Sequence, residues 1–339
     1  MAASERQRES DNHEVEVGKR AEQQGLDVHY FTMRRGFSIK GILMIFSYIR
    51  ISNINIVHSH GYKPNIFLGV IPSKLLKAKK ISTTHGWAKE FASRKASLYE
   101  KLNCYFIRRY CRCVAVSKGV YNDMVKRNIP SSKIVIIYNG IDLNAQQTKK
   151  NKSSIREYFN IPKDAFVIGT AGRLVKEKGI DVFIKASADF LKSHANAFFL
   201  IAGDGPMKPE LKSLTRHLQV EHKFRFLGFV TNMDGLFNAI DVFVLSSYTE
   251  GLPIVLLEAM QTGCPTICSK VGGISEVINN NVDGLLFESG NSSQLSSKLL
   301  LYRDGELRKE ISIRAKRKVY EFFSAEKMVN NYIKFYKSL

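Results

Sequence analysis

Two carboxylates, Glu250 and Glu258, bracket seven residues in the segment EGLPIVLLE, and only its end residues carry charge. The segment follows an apolar strand pattern, DVFVLSS (Asp241 to Ser247), and Pro253 stands where a first helical residue belongs. This pattern predicts Glu250 on a strand-to-helix loop and Glu258 about a turn and a half into the helix. A fully helical span of this length rises about 12 Å. That is the reach needed to hold both ends of a molecule such as a sugar nucleotide. Glu258 is flanked by Leu256, Leu257, Ala259 and Met260, a setting in which a carboxylate is seldom buried without a partner.

Other residues with chemical potential also follow strand patterns. After FVIGTAG comes GRLVKEKG, where Gly172 opens a turn beside Arg173 and Lys178. Two cations five residues apart can clamp a diphosphate, Arg by its fork and Lys as a point charge. After AFFLIAG comes Gly203-Asp204-Gly205-Pro206, a tight turn that lets backbone approach a ligand. The helix starting near Pro253 offers free N–H groups and a positive dipole end, so Gly251 and Leu252 can cradle the same phosphates. His85 ends a strand pattern and precedes Gly86 and Trp87. On residue type alone, a single histidine there reads as structural.

These loops need strands to hold them, and the chain supplies short apolar strands alternating with longer amphipathic segments. In the first half the strands fall at HEVEV (His13 to Val17), DVHYF (Asp27 to Phe31), INIVHSH, KKISTTH, CVAVS and KIVIIYNG. In the second they fall at AFVIGTAG, AFFLIAG, FRFLG, DVFVLSS, CPTICSK and GLLFE, and the polar run QQTKKNKSS (Gln146 to Ser154) is the natural linker. The fold class is α/β, with two similar halves and a cleft that binds ligand at the strands' carboxyl ends.

Composition agrees with a globular chain of two domains: 339 residues, 44% hydrophobic and 24% charged. The apolar runs are too short to span a bilayer. The opening MAASERQRESDNHE lacks the apolar core of a signal peptide. Five cysteines without CxxC spacing suggest reduced, structural thiols in a cytoplasmic protein. The net charge is +20, and residues 31–142 carry +16 of it. Such a field attracts polyanions, whether an anionic membrane surface, an anionic acceptor or nucleic acid. No nucleic-acid recognition motif or basic–aromatic platform accompanies it, so nucleic acid is not an expected partner.

The E-x7-E of EGLPIVLLE, preceded by GRLVKEKG and FLGFV and followed by GCPTICSKVGGISEVI, resembles the retaining glycosyltransferases of family 4. HSHGYKPN, STTHGW, AVSKGV and IYNGID fall in that family's order in the N-terminal half. The resemblance implies a GT-B architecture of two facing Rossmann-like domains. Residues 1–145 would form the acceptor side, 146–318 the nucleotide-sugar side, and 319–339 a helix returning to the first domain.

It implies roles too. Arg173 and Lys178 would hold the donor diphosphate and stabilise it as it leaves. Glu250 would bond the donor sugar, Gly251 and Leu252 would offer amides to phosphate, and Glu258 would accept the ribose hydroxyls. Phe229 and Val230 would flank the base, and His85 would reach the donor sugar. Catalysis would fall to His85, Glu250, Arg173 and Lys178. No cofactor or metal is implied, and the sequence contains no Asp-x-Asp to bridge a metal to a diphosphate.

The implied activity is sugar transfer, with retained configuration, to a glycan or lipid-linked acceptor in envelope polysaccharide or lipopolysaccharide synthesis. The protein would be cytoplasmic, with peripheral placement on the inner face of the cytoplasmic membrane compatible with its charge. HEVEV matches the family's second strand, so the usual first strand and glycine-rich loop are expected to be missing. On that ground a nucleotide-sugar-binding protein without transfer, epimerase-like or inactive, is the alternative.

Overall fold

The computed structural model describes residues 18–19, 21–31, 38–87, 94–144 and 153–339. The chain divides into two compact units, Met1–Asn55 with Val70–Ala78, and Ile56–Gly69 with Lys79–Leu339. In the first unit, helix α1 spans Ile39–Ile51, and the Ser38 hydroxyl caps it by accepting from the Gly41 amide at 3.1 Å. The strand expected at HEVEV lies outside the described residues. Asp27 to Phe31 forms no strand. Alternation alone makes no ladder, and here His29 and Phe31 pack on the Tyr48 ring, at 4.4 and 5.5 Å.

The second unit contains two parallel sheets. In the first sheet β1 (Ile56–His60), β2 (Lys79–Thr84), β3 (Arg112–Ala115) and β4 (Ile134–Ile136) lie in sequential order. Helices α2 (Tyr62–Val70), α3 (Arg94–Ile107) and α4 (Lys118–Lys126) connect them. The polar run expected as a linker lies largely outside the described residues, and α5 (Ser153–Tyr158) follows it.

The second sheet comprises β5 (Phe166–Ala171), β6 (Ala197–Ala202), β7 (Phe224–Gly228), β8 (Val242–Leu245), β9 (Thr266–Ser269) and β10 (Leu285–Phe287). Their spatial order is β10-β9-β8-β5-β6-β7, with every pairing parallel. This is the doubly wound order, and it reverses direction between β5 and β8. Helices α6 (Ile180–Leu191), α7 (Lys208–His217), α8 (Met233–Ala239), α9 (Ile254–Thr262), α10 (Ile274–Val277) and α11 (Ser292–Leu301) link and cover its strands.

β5, β6 and β8 are buried at every position, so they read as continuous apolar runs rather than alternating ones. Phe183, Phe199 and Phe224 centre the core of this half, with the Phe199 and Phe224 rings stacked at 4.9 Å. Each such side chain contributes roughly 1.5–3 kcal/mol by burial. Arg156 of α5 is buried but fully engaged. It donates to the carbonyls of Ala239 and Ala165 and to Asp241 Oδ2, which also accepts from the Val167 amide. A buried guanidinium is tolerable only with partners of this kind.

Beyond α12 (Gly305–Phe322), helix α13 (Ala325–Lys337) lies against the first sheet. Phe335 is buried with Ile81, Val114 and Ile137, and Met328, Tyr332 and Tyr336 pack beside it. Ile333 is exposed instead. The buried stripe therefore runs 328, 332, 335, 336, the spacing of one helical face. All five cysteines are free, and four are buried as structural thiols should be, while Cys111 is exposed.

Candidate active site

The crevice where a doubly wound sheet reverses is its natural ligand site. The loop after β5 and the loop after β8 meet there, and they carry Arg173, Lys178 and Glu250. β8 ends at Leu245, and α9 begins at Ile254, one residue later than the sequence pattern placed it. Pro253 keeps an extended ψ of 122° and serves as the residue before the helix. Gly263 ends α9 at φ 77°, a left-handed conformation that favours glycine.

Across the two loops Lys178 Nζ donates to Glu250 Oε1 at 2.5 Å, and within the second Ser247 Oγ donates to the same oxygen at 2.7 Å. Both bonds fall on one oxygen, which leaves Oε2 for an incoming hydroxyl. The Glu250 side chain is only 9% exposed, so it is tolerable as an anion because the ammonium and hydroxyl accompany it. Arg173 is exposed beside Gly172, and its guanidinium makes no hydrogen bond or ion pair among the described residues.

Glu258 is half-buried on α9 and makes no hydrogen bond or ion pair among the described residues. Burial first, and then the charge of Asp234, push its carboxyl above the usual range. Sequence reasoning held that a carboxylate here needs a partner. Among the described residues none is supplied. Phe229 is 69% exposed just past β7, where a planar group can lie on it, and Val230 follows.

The first sheet approaches this loop closely. A Cβ on Gly251 would fall 1.8 Å from the His85 carbonyl oxygen, so only glycine admits that approach. Asn139 Nδ2 donates to the Leu252 carbonyl at 2.9 Å, and the Gly273 amide donates to the Gly251 carbonyl at 2.8 Å. Glu276 of α10 accepts from the Lys118 and Gly119 amides at 2.9 and 2.8 Å and from the Tyr138 hydroxyl at 2.9 Å. The first two are orphan donors of α4, and the dipole there favours an anion. Burial and Glu276 together push Tyr138 up to about 12.

His85 follows β2 and stays open on its outer side. Its Nε2 lies 3.0 Å from Nδ1 of His60 at the end of β1, so one of the two nitrogens must be protonated. Surrounding protein and the neighbouring His60 lower its basicity. Behind them His58 bonds to Tyr336 Oη at 2.6 Å and Thr83 Oγ1 at 2.7 Å. Burial, then His60 and His85, bring its pKa down to about 4.

The structure thus brings Arg173, Lys178, Glu250, Gly251, Leu252 and His85 to one place, with Glu258 one helical turn further on. Sequence reasoning missed Ser247, His60, Tyr138 and Glu276. His60 and Glu276 sat inside the quoted motifs HSHG and GGISEVI, but their partners lie far away in the chain.

A crevice bearing Arg173, Lys178 and two carboxylates on Rossmann-like sheets suggests a class, and comparison with known proteins supplies it. Residues 151–318 match the family Glycosyl transferases group 1, and residues 4–145 match Glycosyltransferase Family 4. The chain belongs to the family 4-type glycosyltransferases, with the GT-B fold. It is 27% identical over 300 residues to the Escherichia coli UDP-Gal:alpha-D-GlcNAc-diphosphoundecaprenol alpha-1,3-galactosyltransferase, covering 86% of this chain and 77% of that one. It is 28% identical over 283 residues to the Bacillus anthracis N-acetyl-alpha-D-glucosaminyl L-malate synthase, covering 83% and 74%. Anabaena HepE in complex with UDP-glucose shares its fold, with a TM-score of 0.84 at 21% identity over 95% of this chain and 88% of HepE.

Proposed function

We propose that this glycosyltransferase takes a nucleotide-diphosphate sugar as donor and passes the sugar, with retained configuration, to a glycan or lipid-linked acceptor in envelope polysaccharide synthesis. The observation that carries this reading is the carboxylate of Glu258, without a hydrogen bond or ion pair among the described residues, set one helical turn beyond the loop that carries Glu250, Gly251 and Leu252, to which Lys178 reaches from the loop after β5. A ribose at Glu258 and a sugar at Glu250 Oε2 leave the diphosphate beside Gly251, Leu252 and Arg173. Negative charge grows on the diphosphate as the glycosidic bond breaks, and preorganised cations and amides facing that charge lower the barrier most. Transfer then needs no general acid on the leaving group. Lys178, held by Glu250, and the exposed guanidinium of Arg173 supply the cations without a metal bridge. In this reading residues 146–318 serve the donor, 1–145 the acceptor, and 319–339 tie the two.

The acceptor side bears the basic charge, and α1 leaves Ile39, Leu43 and Ile51 exposed beside Lys40 and Arg50. α3 likewise exposes Leu98, Leu102 and Tyr105, with Arg109 over the Tyr105 ring at 3.7 Å. Basic helices with exposed apolar residues suit peripheral contact with an anionic membrane from the cytoplasmic side. No helix among the described residues is long and apolar enough to cross a membrane. Flotation with anionic vesicles checks this, and absence of binding at low salt refutes it.

Calorimetric titration with a panel of nucleoside diphosphates and their sugars tests the donor. Saturable binding is expected for one base, weakened about ten- to a hundredfold in Arg173→Ala by loss of a charge-assisted contact. No heat with any donor, or unchanged affinity in the variant, refutes the reading.

A further inference from the structure

Three histidine rings stand in a row from the middle of β1 to the loop after β2. His58 and His60 share one face of β1, as strand alternation requires, and their rings stack with centres 4.7 Å apart. The His60 and His85 rings follow at 5.3 Å, inclined by 27°, and present His60 Nδ1 to His85 Nε2 at 3.0 Å. The far end of the row is fixed by the fold. His58 bonds to Tyr336 Oη of α13 and to Thr83 Oγ1 of β2, and Tyr332 Oη lies 3.1 Å from the same threonine oxygen. His60 has no such anchorage. It is exposed at the end of β1, and its side chain makes one hydrogen bond among the described residues, the one to His85. A residue so placed adds little to the core, yet its partner belongs to the candidate site.

We infer that His60 is a positioning residue: it holds the His85 ring through Nε2, so that His85 meets the donor sugar with Nδ1. This rests on the transferase reading and adds to it a residue that acts through His85. Desolvation by surrounding protein lowers the basicity of both rings, and for His85 the neighbouring His60 adds to it. The pair is therefore neutral near pH 7. Each neutral imidazole has one N–H and one lone pair, so a single proton lies between the rings. The state of His85 Nδ1 follows from it, protonated when His60 donates and bare when His85 does. Without His60 the His85 ring is free to turn and to exchange tautomers, and neither its angle nor its proton is set in advance. No carboxylate bonds to any of the three rings among the described residues. The orienting task that a carboxylate often performs for a histidine falls here to a second imidazole. The stack on His58 in turn restrains His60.

The test compares wild-type chain with His60→Phe and His60→Asn by calorimetry and by nitrogen NMR of the imidazole rings. The titrants are UDP, GDP and ADP, each alone and as its glucose, galactose and mannose esters. Phe keeps a ring on His58 but removes the nitrogen that faces His85. In that variant affinity for the bare diphosphate should be unchanged, while affinity for the preferred sugar ester falls about tenfold, the loss of one well-placed hydrogen bond. Asn places an amide near the lost Nδ1 and should restore most of that affinity. The His85 ring nitrogens should report one tautomer in wild type and in His60→Asn, and an average of two in His60→Phe. A residue that only stabilised the fold would not produce that change. Sugar-ester affinity undiminished in His60→Phe, an equal loss for the bare diphosphate, or unchanged His85 ring nitrogens would each overturn the inference. No heat from any titrant in the wild type removes the donor reading itself, and the inference with it. Heat with any of those three outcomes removes the inference alone.

Discussion

Glu258 is a carboxylate left uncompensated among the described residues, and such a residue sets function against stability. Glu258→Gln removes the burial penalty on the charge and the repulsion from Asp234. It should therefore leave thermal stability unchanged or raised, while donor affinity falls about tenfold, and melting curves beside calorimetry would show the split. Its raised pKa makes a second prediction. Donor affinity should weaken as pH falls toward Glu258's elevated pKa, before ordinary carboxylates titrate, and the Gln variant should lack that limb. Glu250 differs because Lys178 and Ser247 hold it. Lys178→Met would leave a nearly buried anion short of its ammonium, so stability and donor affinity should fall together.

At the scale of elements, the decisive feature is how the first sheet's loops grip the loop after β8. Glu276 stands on a short helix of one half and satisfies the first amides of α4 in the other. Glu276→Ala should cost about 0.5–2 kcal/mol, the usual value of a helix cap. Hydrogen exchange should quicken at the Lys118 and Gly119 amides while mid-helix amides of α4 stay protected, and Glu276→Gln, which keeps an acceptor oxygen, should restore part of that protection. Gly251→Ala is harsher. Its Cβ would press into the His85 carbonyl, so one backbone must move. Transfer activity should drop by at least about tenfold even in protein that folds.

For the whole molecule, α13 is the strap that returns from the second half to the first sheet. Removing the buried Phe335 ring should cost about 3–5 kcal/mol and expose the C-terminal helix to limited proteolysis, which the same treatment of wild-type protein would not show. His58, under that helix, makes stability depend on pH. Its folded pKa is lowered from the ordinary 6.5 to about 4, so the unfolded chain binds the extra proton first. Stability from this group is complete above about 6.5 and is lost as pH falls toward about 4, and denaturation followed across that range should show the loss diminished in His58→Gln.

Much of this was legible along the chain. Ten of the eleven strand patterns on described residues became strands, and the clearest were those whose full burial demands a continuous apolar run, as DVFVLSS and AFFLIAG display without help from partners. The glycine turns and E-x7-E were legible for a similar reason, since their chemistry is carried by neighbours in sequence. DVHYF misled because period-two alternation describes a strand only when another strand accepts its ladder. His60, Tyr138 and Glu276 were invisible as candidate site residues because their partners lie 25, 138 and 158 positions away. Residue types and local spacing determined which loops carry the candidate site's cations and carboxylates. Only the tertiary fold, by closing loops of that length, decided which anion keeps a cation, which keeps none, and which histidine stands behind His85.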